Sequence, residues 1–113
     1  MGVFDREIDI TRNIKTIEWL KGELLTDVAN LFRILGNGIK EEVHDSAADI
    51  LANIILVTYI LGRRLGISYQ AIEMKIDGKV KIGLIEKNDI EKYYGDLSEL
   101  SKHLSSSRIK RKD

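Results

Sequence analysis

Residues 41–66 read EEVHDSAADILANIILVTYILGRRLG. The pattern predicts one long helix with an acidic first half and an apolar second half. Glu42, Asp45, Asp49 and Asn53 recur at steps of three and four. At about 100° per residue they fall on one stripe. Neighbours at such steps lie roughly 5–6 Å apart at Cβ, so three carboxylates crowd one face. Asp49 and Asn53 also sit among Ala48, Ile50, Leu51, Ile54 and Ile55. A charge in such surroundings is costly unless it is paired or bound to metal. This stripe is the chief candidate for a functional site.

Upstream, residues 9–35 carry Ile10, Ile14, Ile17, Leu20, Leu24, Val28, Leu31 and Leu35 at helical spacing. Asp9 or Thr11 is a candidate cap after a loose leader, and Gly22 predicts a kink or a break. Glu23, Asp27 and Asn30 form a second polar stripe, with Glu18 on roughly the opposite side. Gly36-Asn37-Gly38 predicts a helix stop and a tight turn, making the two helices antiparallel neighbours. Asp27 lies ten residues before Asn37 and Asp49 twelve after it. The two acidic stripes are therefore expected to meet at similar heights. The expected cluster is Glu23, Asp27, Glu42, Asp45 and Asp49. Either stripe alone reads better as a solvated helix face; only the two facing stripes together, one running into apolar sequence, make a site an equal reading.

Downstream, Gly66 ends the central helix, with Arg63 and Arg64 favoured in its last turn by the helix dipole. Ser68 is the expected cap of a third helix over 68–83, with Gly78 a possible break and 83–88 a connector. Lys75 and Lys79 share a face of that helix, which reads as a solvated lysine face or a phosphate contact. Asn88 or Asp89 is expected to cap a last short helix, interrupted at Gly95. Residues 1–104 are thus expected to form a single domain. Residues 105–113, rich in serine and basic residues, predict a disordered tail.

The 113 residues carry 18 basic and 18 acidic side chains, no cysteine and no proline. Zero formal net charge argues against a general nucleic-acid binder. The absence of cysteine excludes disulfides and thiolate metal sites and suits a cytoplasmic setting. The N-terminus has no signal-peptide pattern, and the apolar run 47–61, broken by Asp49 and Asn53, is too short for a bilayer. No membrane partner is expected. His44 and His103 have no metal-ligand partners at suitable spacing. There is no phosphate-binding loop, dinucleotide fingerprint or nucleophile triad.

Glu42-Val43-His44-Asp45 is a literal ExxD, and it opens a helix that ends in Leu65-Gly66-Ile67-Ser68. In these features the chain resembles the MazG-like nucleoside triphosphate pyrophosphohydrolases, an all-α family whose pattern is ExxE, a spacer, then ExxD. Tyr94–Leu100, YGDLSEL, is similar to a segment of the family's short variants. The first half departs, because neither Glu18 to Glu23 nor Glu23 to Asp27 is ExxE; Glu23 and Asp27 are the closest counterparts. The resemblance implies an all-α antiparallel bundle of about four helices. It also implies cleavage of a nucleoside triphosphate to a monophosphate and pyrophosphate. Mg²⁺, with Mn²⁺ as a substitute, suits a carboxylate site that shares its ion with phosphates. The implied metal ligands are Glu23, Glu42 and Asp45, with Asp27 and Asp49 as catalytic carboxylates or further ligands. Lys75 and Lys79 would meet phosphate, and Asn30 or Asn53 would orient a ligand. The altered first motif keeps two alternatives open, a weakened nucleotide-binding regulator and a helical interaction module.

The second half of the central helix is apolar nearly all round, through Ile54, Ile55, Leu56, Val57, Tyr59 and Ile60. A helix apolar on every side must be covered on every side. A homodimer or a homotetramer is therefore expected, as in the family.

Overall fold

The computed structural model describes the backbone of residues 3–36, 38 and 40–112, and the side chains of residues 9–36, 38 and 40–107. Five α-helices follow one another: α1 (Val3–Leu35), α2 (His44–Arg64), α3 (Tyr69–Glu86), α4 (Asp89–Tyr94) and α5 (Asp96–Lys112). A 3-10 turn, Glu41–Val43, leads into α2. There is no strand among the described residues. The all-α expectation holds, with one more helix than expected.

Helix α1 begins earlier than expected and runs unbroken through Gly22. Asp9 and Thr11 are therefore interior to the helix and do not start it. A mid-helix glycine costs about 1 kcal/mol against alanine. Extending an existing helix is far cheaper than starting a new one, so the penalty at Gly22 does not break it. No proline interrupts the segment.

The turn after α1 closes through Gly36 N–H to the Arg33 carbonyl at 3.3 Å and Gly38 N–H to the Leu35 carbonyl at 3.1 Å. Gly38 has φ 102°, a left-handed conformation that suits glycine. Asn37, the middle of the expected turn, lies outside the described residues. α2 then packs back along α1. Leu20 of α1 and Val57 of α2 are buried. Ile17, Leu24, Leu31, Ala47, Ile50, Ile54 and Leu61 are half-buried. At the open end, the Asn13 amide donates to the Arg64 carbonyl at 3.0 Å, and the Arg64 guanidinium donates to Asn13 Oδ1 at 3.4 Å. α2 ends in a complete Schellman motif: Ile67 N–H reaches the Gly62 carbonyl at 2.9 Å and Gly66 N–H the Arg63 carbonyl at 3.1 Å.

The chain divides into two compact units, Met1–Tyr69 and Gln70–Asp113. In the second unit α3 passes through Gly78 and continues over residues expected to be a connector. Gly83 is buried, and a Cβ there would lie 2.5 Å from Leu97 Cδ1 and 2.9 Å from Asn88 Nδ2. α3 also ends in a Schellman pair, with Asn88 N–H to the Gly83 carbonyl at 3.1 Å and Lys87 N–H to the Leu84 carbonyl at 3.3 Å. Here the left-handed position is Lys87, at φ 49°. Asn88 caps α4 as expected, accepting from Glu91 N–H at 3.0 Å. Gly95, at φ 70°, separates α4 from α5. The basic segment expected to be disordered is helical as far as Lys112. It prolongs a helix already started at Asp96, and lysine and arginine are good helix formers.

Only Leu20, Val57 and Val80 are buried among the large apolar side chains described. The stretch Glu41–Arg64 is long and apolar enough, by length and composition alone, to cross a membrane. The shorter run 47–61 understated its length.

Candidate functional site

Burial separates the two faces of each helix of the hairpin. On α1, Glu23, Asp27 and Asn30 are half-buried, like the apolar residues that flank the buried Leu20. At about 100° per residue they lie within roughly a quarter turn of Leu20. The first polar stripe therefore borders the face turned to α2. Asn30 Oδ1 also accepts from the Arg33 guanidinium at 3.3 Å.

The second stripe divides. Asn53 is half-buried, and its amide donates to Asp27 Oδ2 at 2.6 Å across the hairpin. Glu42, Asp45 and Asp49 are exposed. Asp49 lies about a quarter turn and Asp45 about a third of a turn from the buried Val57, and both are exposed. At about 100° per residue Asn53, Asp49 and Asp45 stand at increasing angles from Val57, so only Asn53 comes close to the face turned to α1. The helical entry also differs, since Glu42 lies in the 3-10 turn and not in α2.

Among the described residues, no three histidine, aspartate or glutamate side chains are grouped so as to hold one ion. The expected convergence of Glu23, Asp27, Glu42, Asp45 and Asp49 is therefore not formed within the chain. What the hairpin brings together is Asp27 with Asn53. Both residues stood out in the sequence, but as members of separate stripes and not as partners. A signal was present: Asn53 is the one amide in the apolar half of α2, and a half-buried amide requires a partner. Lys75 and Lys79 are both exposed on α3.

The exposed carboxylates of α2 run into an exposed apolar surface. Leu51, Ile55, Leu56 and Ile60 are all exposed, as are Ala48 before them and Ala52 among them. Asp45 and Asp49 thus stand at the acidic end of an uncovered apolar helix face.

These features define a class: an all-α protein whose principal hairpin carries an Asp–Asn contact inside and an acidic ExxD stripe outside. The model of the MazG-like family matches residues 10–97, and the chain belongs to that family. The match spans both compact units. No curated protein and no solved structure matches the chain significantly.

Proposed function

We propose that the chain is a nucleoside triphosphate pyrophosphohydrolase, releasing a nucleoside monophosphate and pyrophosphate. Membership of the MazG-like family over residues 10–97, with Glu42 and Asp45 as a literal ExxD, carries this reading. The described side chains do not supply a cage of three or more protein ligands. They do suit Mg²⁺ held in the other common way, by one or two carboxylates with waters and substrate phosphates completing the shell. Asp45, with Glu42 or Asp49 one turn away, would supply those carboxylates; Mn²⁺ would serve as well. Bound there, the ion would neutralise phosphate charge and acidify an attacking water. Glu23 and Asp27 line the inner face, where Asn53 fixes the Asp27 carboxylate. Asn30 would orient a ligand; Lys75 and Lys79 are exposed on α3, in the second unit.

The protein works in water as a homodimer or homotetramer in this reading. α1 carries Arg12, Lys15, Glu18, Lys21, Glu23, Asp27 and Arg33 alongside α2. That charge density is costly in lipid, so the apolar α2 is read as an assembly face and not as a membrane span.

A screen of canonical and damaged nucleoside triphosphates with Mg²⁺ and Mn²⁺ tests the activity. Pyrophosphate, not orthophosphate, is the expected product. The departure from ExxE and the engagement of Asp27 by Asn53 favour one other reading, a nucleotide-binding regulator. Nucleotide binding without pyrophosphate release would select it.

A further inference from the structure

The open end of the hairpin gathers basic side chains around an exposed tryptophan. Trp19, the one tryptophan of the chain, is 62% exposed. At about 100° per residue, Arg12, Lys15 and Trp19 fall roughly 80–140° to one side of Leu20, the buried residue of α1. Arg63 falls about 120° in the same sense from Val57, the buried residue facing it on α2. In an antiparallel pair, offsets of the same sense lie on the same side of the contact line. Asp27 and Asn53, which do meet, are offset in that sense too.

The register of the hairpin brings these groups to one end. The Asn13 amide meets the Arg64 carbonyl at 3.0 Å, so Arg12 and Arg63 flank that contact. Trp19 stands seven residues past Arg12, about 10 Å along the helix. Exposed Ile60 of α2 lies close to its level. Cα–Cβ bonds tilt toward the N-terminus of their own helix. Trp19 is therefore inclined toward Arg12, and Arg63, on the helix running the other way, toward Trp19. Arg12, Lys15 and Arg63 are exposed, and among the described residues none of them is in an ion pair. Between residues 10 and 22 and between 54 and 64 the one carboxylate is Glu18. It lies on the outer face of α1, at 3.0 Å from Lys21 Nζ. Asp9 stands one turn before Asn13, near the contact line.

An indole face is a flat apolar platform, and stacking of a base on it is indifferent to which base. Guanidinium groups match phosphate oxygens two at a time. Together they suit a ligand with a flat ring at one end and a phosphate at the other. We propose that the open end of the hairpin binds a nucleotide without metal, its base on Trp19 and its phosphate between Arg12 and Arg63, with Lys15 at the rim. This site is separate from the acidic stripe, because Arg63 stands eighteen residues from Asp45, about 27 Å along α2. It does not depend on the hydrolase reading.

Trp19 is its own probe. Adenosine monophosphate in excess chelator is expected to change the tryptophan fluorescence saturably. Adenosine alone and inorganic phosphate alone should each bind at least about tenfold more weakly, since each makes half of the contact. In calorimetry, Arg12→Ala and Arg63→Ala should each weaken binding of the monophosphate about tenfold, through lost hydrogen bonds to a charged group. Trp19→Leu should do the same, and Trp19→Tyr should largely restore binding. Asp45→Asn should bind as the parent does, and added salt should weaken binding. Unchanged affinity in Arg63→Ala or Trp19→Leu would overturn the proposal. So would an equal response to adenosine or to inorganic phosphate, or no response to the monophosphate. Binding that needs Mg²⁺ and disappears in Asp45→Asn would move the nucleotide to the acidic stripe, overturning this site and leaving the hydrolase reading standing. Far tighter binding of an oligonucleotide than of the monophosphate would also overturn it, making the patch a nucleic-acid surface.

Discussion

Asn53 of α2 donates a hydrogen bond to the Asp27 carboxylate of α1 at 2.6 Å, and both residues are half-buried. It is the polar counterpart of the apolar contact around Leu20 and Val57. Hydrogen bonds to charged groups contribute about 1.5–3 kcal/mol when well shielded. Partial exposure lowers that here, so Asn53→Ala is expected to cost about 1–2 kcal/mol. Thermal unfolding should show it as a fall in Tm of several degrees. Asn53→Asp should cost more, because it sets two carboxylates in contact. That variant alone should regain stability as pH falls and one of the pair takes a proton. A pH-independent deficit in Asn53→Asp would mean that the pair is not in contact.

A second carboxylate predicts the opposite pH response. Glu91 accepts from the Ser98 hydroxyl and, at 3.0 Å, from the Ser98 backbone N–H. These bonds, the hydroxyl first, hold the Glu91 carboxyl below its ordinary value of 4.5. A lowered folded-state value means that the stabilisation is complete above the ordinary value and lost as pH falls through the lowered one. Acid titration of the parent should therefore loosen the junction of α4 and α5. Ser98→Ala should lose helicity there at neutral pH and show less further loss in acid. Equal acid sensitivity in parent and variant, followed by the amide signals of residues 91–98, would contradict this.

Helix positions were legible in the sequence wherever apolar spacing, Gly66, Gly95 or Asn88 marked them. The extents of α1, α3 and α5 were not. Each of those helices continues across a residue or segment of weak propensity, Gly22, Gly78 or the serines after Leu104, because propagation is cheap once a helix exists. The site was half legible. Periodicity identifies which carboxylates share a stripe, but not which stripe turns inward. That is fixed by where Leu20 and Val57 pack, and a shift of α2 by about one turn along its axis decides between Asn53 and Asp49 as the neighbour of Asp27.

The end of α3 provides a matched pair of backbone tests. Lys87 holds a left-handed φ of 49°, which costs a side-chain-bearing residue about 1–2 kcal/mol. Lys87→Gly removes that strain but loosens the unfolded chain, so a net gain of about 0.5–1 kcal/mol is expected. Gly83→Ala should do the reverse. Its Cβ would press on Leu97 and Asn88, and overpacking of this kind costs about 1–3 kcal/mol. Denaturant melts of the two variants check both signs. A neutral Gly83→Ala would show that the α3–α5 contact yields easily.

The acidic stripe of α2 gives the last prediction. Asp45 and Asp49 are exposed and four residues apart on α2, and exposed Glu42 precedes Asp45 by three, in the 3-10 turn. Like charges at such steps repel weakly in water, by a few tenths of a kcal/mol per pair. Neutralising one of them should therefore leave the metal-free protein as stable as the parent or slightly more so. Mg²⁺ or Mn²⁺ bound to the folded state should raise Tm in a concentration-dependent way. A nucleoside triphosphate should strengthen that rise, because its phosphates complete a shell that one or two carboxylates leave open. Asp45→Asn is expected to remove most of the metal-dependent rise while leaving the metal-free stability within about 0.5 kcal/mol of the parent's. Asn53→Ala, by contrast, should lower Tm and keep the metal response. Strong destabilisation of the metal-free Asp45→Asn protein would identify Asp45 as a structural residue. No response to metal in the parent, with or without nucleotide, would leave the stripe a solvated helix face and remove the physical basis of the hydrolase reading.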